Sequence, residues 1–291
     1  MQKEKINKLI DILNYSTGLL QEKGIDDARL NVELMLCEIL KCDRMKLYLD
    51  FDKPLKEAEI ADYKALLLRR LKNEPLQYIL GKTNFYGYEI KVNKDVLIPR
   101  QETELLVERL IEDIKSKKTD DLKIIEIGTG SGCIAIALSK ELEKINIKYQ
   151  ITSIDISNEA INLAKENAII NNADIDFRID DFLKINEFKY DYDLLVMNPP
   201  YIREKDIKAL MDEVKDYEPI NSLTDRNDGL TFYRKAFNLY KIMKHKFSIY
   251  VEIGFDQKIE LSKLLAEYDI TNFRFLKDYN EKDRILIIDK C

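Results

Sequence analysis

The residues best suited to chemistry in this sequence are Asn198-Pro199-Pro200-Tyr201, placed directly after the apolar run Leu194-Leu195-Val196-Met197. The run reads as a buried strand, and prolines lack the N–H that would continue a ladder, so Asn198 falls at the strand's end beside carbonyls without ladder partners. A carboxamide oxygen and the Pro199 carbonyl then form a small acceptor cradle, with the Tyr201 ring next to it.

A second cluster is Glu126-Ile127-Gly128-Thr129-Gly130-Ser131-Gly132, at the exit of an apolar strand and the start of a helix. Glycines there let the backbone turn sharply and approach a ligand closely, which implies a nucleotide-type cofactor. A dinucleotide fingerprint needs glycine where this chain has Cys133, with the third glycine arriving one residue early, so NAD and FAD are disfavoured. The acid before alternating glycines resembles instead the S-adenosylmethionine loop of class I methyltransferases. Asp155 ends the next strand, where a carboxylate can accept from both ribose hydroxyls. Asp180-Asp181-Phe182 ends the third strand, well placed for an aspartate to accept from an adenine amino group and for the Phe182 ring to cover the base.

Asn198 to Tyr201 resembles the (Asn/Asp/Ser)-Pro-Pro-(Tyr/Phe/Trp) motif of methyltransferases acting on a nitrogen attached to a planar sp² system, a nucleobase amino group or a glutamine amide. Such a nitrogen is a poor nucleophile because its lone pair is delocalised. Catalysis is then a matter of holding the NH2 with fixed acceptors, Asn198 and the Pro199 carbonyl, while Tyr201 packs on the planar group. Direct methyl displacement needs no covalent enzyme intermediate, and the single His245 has no catalytic role to fill.

These residues must be carried by a scaffold, and the pattern from residue 122 onward supplies one: strand-like runs alternate with helical segments, as in a parallel sheet built from β-α-β units. Strands are expected at 123–127, 150–154, 175–179, 192–197 and 248–253. Helices are expected at 132–143, 158–171, 230–243 and 257–268, and residues 273–276 and 284–288 read as a closing antiparallel pair. The amino-terminal 73 residues read as a small helical domain. Ile6, Leu9, Ile10 and Leu13 mark its first helix. Leu30, Leu34, Ile39 and Leu40 mark the second, and Ile60, Tyr63, Leu67, Leu68 and Leu71 a third over 54–72. Gly24 with Asp26-Asp27 reads as a helix stop and a new N-cap. Residues 74–100 read as a linker with a hairpin of 88–92 and 95–98, followed by a helix through Ile114 and a catalytic domain of 101–291. Arg100, Glu102 and Glu104 crowd the entry of that helix, where acids favour the N-terminus.

The 291-residue chain has 45% apolar and 34% charged residues and a formal net charge of -6, enough for a sizeable core and contrary to the basic balance of a dedicated duplex-DNA binder. No apolar stretch is long enough to span a bilayer and the first residues lack a signal-peptide core, so the expectation is a cytoplasmic protein. Cys37, Cys42, Cys133 and Cys291 form no Cys-x-x-Cys pair, and neither a zinc site nor a disulfide framework is expected.

Beyond these motifs, Asn73-Glu74-Pro75-Leu76-Gln77-Tyr78-Ile79-Leu80-Gly81, Leu97-Ile98-Pro99-Arg100-Gln101-Glu102-Thr103-Glu104 and Val251-Glu252-Ile253-Gly254 together resemble the PrmC/HemK family over essentially the whole chain. That family methylates the side-chain amide nitrogen of the glutamine in the Gly-Gly-Gln loop of class 1 peptide chain release factors. The resemblance implies an α/β class I S-adenosylmethionine-dependent methyltransferase fold, Rossmann-like, its mainly parallel sheet closed by an antiparallel strand, plus a small helical N-terminal domain that docks the substrate. It implies that Asn198, Pro199, Pro200 and Tyr201 hold the glutamine. Glu126, Gly128, Thr129, Gly130, Ser131, Gly132, Asp155, Asp181, Phe182 and Asn198 would contact S-adenosyl-L-methionine. No metal and no direct nucleic-acid binding are implied. Phe182 stands where the family often has tryptophan. The nearest rival is a sister enzyme that modifies a glutamine of a large-subunit ribosomal protein; an adenine-N6 DNA methyltransferase and a catalytically silent adaptor are more distant alternatives.

Overall fold

Residues 8–117 and 121–290 are described by a computed structural model. They divide into two compact units, one comprising the chain up to Gly81 with Asp212–Tyr217, the other comprising Lys82–Met211 and the chain from Glu218 on.

The first unit is helical: α1 (Leu9–Glu22), α2 (Ala28–Leu40), α3 (Arg44–Leu49), α4 (Glu57–Arg70), α5 (Leu76–Leu80) and the short helix Asp212–Tyr217. Leu13, Leu20, Val32, Met35, Leu36, Leu47, Tyr63 and Leu67 fill its core. Ile6 lies outside the described residues. In α2 the buried apolar positions are Ala28, Val32, Met35 and Leu36, whereas Leu30 is exposed and Leu34, Ile39 and Leu40 are only partly covered. That helix carries apolar residues on nearly every side, so periodicity selects no face, and packing against α1 and α4 does. On α4, Leu68 points to solvent in the same way. The α3 helix was not expected; Asp43 starts it by accepting from the Lys46 N–H at 2.7 Å.

The unit runs past the expected boundary at residue 73 because Leu76 packs into the same core and the chain is tied back by charged hydrogen bonds. Arg69 Nε donates to Glu74 at 2.8 Å, and the buried Arg70 donates to Asn31 Oδ1 at 2.7 Å and to the Glu74 carbonyl at 3.0 Å. Arg70 also pairs with Glu213 at 2.9 Å, and the Tyr217 hydroxyl donates to the Lys72 carbonyl at 2.8 Å, which fastens the distant helical segment to this unit.

The second unit begins with a hairpin, β1 (Lys82–Phe85) and β2 (Tyr88–Lys91). Its two-residue turn is Tyr86-Gly87, both at positive φ (53° and 84°), as a type I′ turn demands. The hairpin therefore lies one strand earlier than the expected pair of 88–92 and 95–98. Residues 93–98 instead turn, with the Val96 N–H donating to the Asn93 carbonyl at 3.2 Å, and lead into Pro99. Helix α6 (Gln101–Lys117) then precedes β3 (Asp121–Ile127), α7 (Cys133–Lys144), β4 (Lys148–Asp155), α8 (Asn158–Asn171), β5 (Asp176–Ile179) and β6 (Leu194–Met197). After the short helices α9 (Asp212–Tyr217, part of the first unit) and α10 (Ile220–Leu223) come α11 (Thr231–Ile242), β7 (Ser248–Glu252), α12 (Lys258–Glu267), β8 (Phe273–Lys277) and β9 (Asp283–Ile288).

The sheet order is β5-β4-β3-β6-β7-β9-β8, parallel through β7, with β9 antiparallel to both of its neighbours. Every residue of β6 and β7 is buried, which is why those segments read as unbroken apolar runs and not as alternations. Each fully buried aliphatic side chain such as Leu195 contributes roughly 1.5–3 kcal/mol. The expected sheet is realised strand for strand, including its antiparallel closure.

Candidate active site

Register brings the two sequence clusters together. Ile127 of β3 pairs with Met197 of β6, so the residues that follow, Gly128 and Asn198, leave the sheet side by side. A Cβ on Gly128 would lie 3.9 Å from the Asn198 carbonyl oxygen. Strand order reverses at this point, β4 on one side of β3 and β6 on the other, and such a switch opens a crevice at the carboxyl ends of the strands. A cavity of about 610 Å3 occupies it.

Gly128, Thr129, Gly130 and Ser131 line that cavity. The N–H groups of Gly128 and Thr129 both donate to the Ile154 carbonyl, at 2.9 and 3.1 Å, and Gly130 N–H donates to Asp155 Oδ2 at 2.9 Å. Gly132 does a different job. At φ 82° it caps α7, and a Cβ there would come within 3.0 Å of the Ala164 Cβ, so this glycine permits close packing of α7 on α8 and does not line the cavity.

Glu126, expected among the cofactor contacts, is fully buried behind the loop and off the cavity wall. It accepts from the Ser153 hydroxyl, which also bonds the Thr129 hydroxyl at 2.7 Å, so its reach to the loop is indirect. Burial pushes its carboxyl up to about 8, against the pull of Ser153.

Asp155 is on the wall at the end of β4, its Oδ1 accepting from Ser157 N–H at 2.9 Å while Oδ2 holds Gly130. Burial raises its pKa, opposed by these backbone N–H groups. Each oxygen keeps a further lone pair for a hydroxyl donor. Asp181 also lines the cavity, but one oxygen already accepts from Leu183 N–H at 3.1 Å and the other pairs with Lys184 at 3.1 Å. Phe182 is on the wall and stacks on Phe232, centroids 6.2 Å apart and planes 14° from parallel.

Asn198 and Pro200 face the cavity, whereas Pro199 is buried. Asn198 Nδ2 donates to Thr103 Oγ1 at 3.1 Å, and the Thr103 hydroxyl donates to Glu252 Oε2 at 2.6 Å. Tyr201 departs from expectation. Its hydroxyl donates to Glu252 Oε1 at 3.2 Å and its ring packs on the sheet core, away from the cavity wall, so it is not presented to a planar substrate group. The phenol is tied down by the same carboxylate that accepts from Thr103. Further on, Gln257 Nε2 donates to the Tyr201 carbonyl at 3.1 Å and Ile202 N–H to the Leu223 carbonyl at 2.9 Å.

The PrmC N-terminal domain family matches residues 11–81 and the Methyltransferase small domain family residues 101–216. A release factor glutamine methyltransferase of Thermodesulfovibrio yellowstonii is 37% identical, over 99% of this chain and 97% of its own. The Bacillus subtilis protein of that description is 35% identical over 96% of each chain. The chain belongs to the release factor glutamine methyltransferase family. A Fusobacterium nucleatum member is 37% identical over 97% of this chain and 79% of its own. Among solved structures, the hMettl16 catalytic domain in complex with a 3′UTR hairpin aligns with TM-score 0.54 at 16% identity, over 80% of this chain and 82% of that one, a likeness of fold.

For a member of this family, several wall residues are not apparent from its motifs. Lys94, Asp95, Val96 and Leu97 line the cavity because the expected second strand is a turn. Arg100 lines it too, and donates to the buried Glu218 at 2.6 Å. Pro219, Asn221, Ser222, Thr224, Asp225 and Arg226 close another side. Asp225 organises its own loop by accepting from Asn227, Gly229 and Thr231 N–H groups at 2.9, 3.0 and 3.0 Å; this dense Asx pattern, Asp225-Arg226-Asn227-Asp228-Gly229, was the available signal. Glu104 is structural, accepting from Tyr86 N–H in the hairpin turn at 2.7 Å.

Proposed function

We propose that this protein transfers the methyl group of S-adenosyl-L-methionine to the side-chain amide nitrogen, N5, of the glutamine in the Gly-Gly-Gln motif of class 1 peptide chain release factors. The observation that carries the reading is the adjacency of Gly128 and Asn198 on one cavity, which supports reading the first as part of a cofactor loop and the second as the acceptor of an amide beside it.

The donor set suits the cofactor. Asp155 keeps acceptor capacity for ribose hydroxyls, the Phe182 and Phe232 rings supply apolar surface for a base, and the glycine loop leaves open space where a Cβ on Gly130 would stand. When bound, S-adenosylmethionine would supply an electrophilic methyl on a sulfonium: its S–CH3 bond would break as the N–CH3 bond forms, S-adenosylhomocysteine would leave as the neutral thioether, and the amide nitrogen would give up one proton to solvent. Asn198 Oδ1, on the cavity wall, accepts one hydrogen of the glutamine NH2, and the resemblance gives the other to the carbonyl of Pro199, a residue buried between the wall residues Asn198 and Pro200; together they fix the amide plane and leave the face of the nitrogen open. Apolar Pro200 bounds the position without competing for a proton. No histidine, cysteine or metal has a part in this reading. Fixed acceptors that need not reorganise are the source of the rate.

We assign the helical unit to docking the release factor, as the resemblance to the PrmC family implies. No direct contact with nucleic acid is part of this reading. Among the described residues no helix is long and apolar enough to cross a membrane.

Labelled cofactor offered in parallel to release factor, ribosomal subunits and duplex DNA tests the substrate class. Label is expected in the release factor; label confined to the subunits or to DNA overturns the reading.

A further inference from the structure

Asn198 can serve as an acceptor only if its carboxamide stands one way round. The two orientations are nearly equal in shape, and the wrong one would set an NH2 against the substrate NH2, donor against donor. Packing alone does not distinguish them. A hydrogen-bond partner of fixed polarity does.

We propose that Glu252 and Thr103 are positioning residues that lock the Asn198 carboxamide with its nitrogen inward and its oxygen toward the cavity. The inference rests on the assignment of Asn198 as the acceptor of the glutamine amide, and it adds the device that makes that acceptor dependable.

The polarity is set at Glu252, at the end of β7. Because Val251 pairs with Met197, Glu252 stands next to Asn198 in the sheet. An ionised carboxylate only accepts. Here both oxygens are engaged, Oε1 by the Tyr201 hydroxyl at 3.2 Å and Oε2 by the Thr103 hydroxyl at 2.6 Å. Thr103 has a single proton, and it goes to Glu252. Its oxygen is thereby left as an acceptor, and the partner it takes is Asn198 Nδ2 at 3.1 Å. The order carboxylate, hydroxyl, amide nitrogen admits one direction, so the amide oxygen is the end presented outward. Glu252 is buried off the cavity wall, and Thr103, itself 2% exposed, stands between it and the cavity, so the carboxylate end of the line is shielded from water.

The device has a protonation limit. A neutral Glu252 carries a proton of its own and can donate to Thr103, whose hydroxyl is then released to donate toward Asn198 and allows the carboxamide to turn. The groups facing Glu252 are the Thr103 and Tyr201 hydroxyls, Arg284 on the neighbouring β9, and Glu102 on α6, while Tyr233 of α11 donates to its backbone carbonyl at 2.9 Å. Burial raises its pKa above the usual carboxylate range, Thr103, Arg284 and Tyr201 oppose the rise, and Glu102 adds to it. Turnover is therefore lost as pH falls through the Glu252 pKa.

The test compares wild type with Thr103→Val, Thr103→Ser and Glu252→Gln on release factor, measuring kcat, KM and cofactor affinity. Thr103→Val should lower kcat roughly 10- to 100-fold, as loss of an outer partner does for an oriented ligand, with cofactor Kd within about twofold. Thr103→Ser should restore most of it, and Glu252→Gln should lower kcat and abolish its acid limb. In wild-type protein, independently of turnover, the Asn198 side-chain NH2 resonances, assigned by their loss in Asn198→Ala, should show a nuclear Overhauser contact to the Thr103 methyl. Full kcat in Thr103→Val, no rescue by serine, or absence of that contact overturns the proposal. The contact without methylation of release factor would leave the lock standing and fail the substrate assignment instead.

Discussion

A Cβ on Gly229 would lie 2.2 Å from the carbonyl oxygen of Tyr201. The glycine sits at φ 77°, and Gln257 bridges the two segments, donating to the carbonyls of both Tyr201 and Gly229 at 3.1 Å. The loop that follows Asn198 is thus held by a glycine far along the chain. Gly229→Ala meets two penalties, about 1–2 kcal/mol for the left-handed backbone and a backbone clash that only displacement of Tyr201 relieves. Denaturant unfolding should find a loss of at least about 2 kcal/mol, and the surviving folded protein should turn over more slowly. Wild-type stability in this variant would show that the close approach is not maintained.

Asp155→Ala removes the carboxylate proposed to hold the ribose, together with its tie to Gly130. Hydrogen bonds to charged groups are worth about 1.5–3 kcal/mol each, so calorimetry should record cofactor Kd raised roughly 10- to 100-fold. An unchanged Kd would take the ribose away from Asp155.

Glu126 gives a pH signature. Its folded pKa of about 8 stands above the ordinary carboxyl value of 4.5. A group so raised favours the fold in its protonated form. Its contribution is full below the unfolded pKa and is lost as pH rises through the folded one. Glu126→Gln cannot ionise, so its melting temperature should exceed that of wild type at pH above about 8 and the gap should close toward the acid side. A gap that stays constant with pH would mean that Glu126 is not held neutral.

The parts of this molecule that were legible in the sequence are those set by local pattern. Leu194 to Met197, stopped by Pro199, reads as a buried strand, and the spacing of Gly128, Gly130 and Gly132 locates the loop before α7. Asp155 and Phe182 followed from counting strand ends. What escaped depended on partners far away in the chain. Thr103, Asn198 and Glu252 form one hydrogen-bonded line from three separate elements, and nothing in any single segment announces it. Tyr201 was read as a substrate platform because its ring is next to Asn198 in sequence, but the pull of Glu252 turns it into the core. The resemblance gives Glu126 to the cofactor site, whereas its carboxyl is buried behind the loop and bonded to Ser153, an arrangement that depends on the neighbouring strand. The face of α2 was undetermined for another reason, its apolar residues being spread around the helix.

The central claim is best tested by localising the product. Release factor incubated with cofactor and wild-type protein should, on digestion and tandem mass spectrometry, carry one methyl group on the side-chain amide of the Gly-Gly-Gln glutamine. Asn198→Ala should reduce its rate of appearance about 10²- to 10³-fold, as removal of one fixed polar group from a catalytic site does. A methyl group on any other residue, or undiminished methylation by Asn198→Ala, would contradict the account.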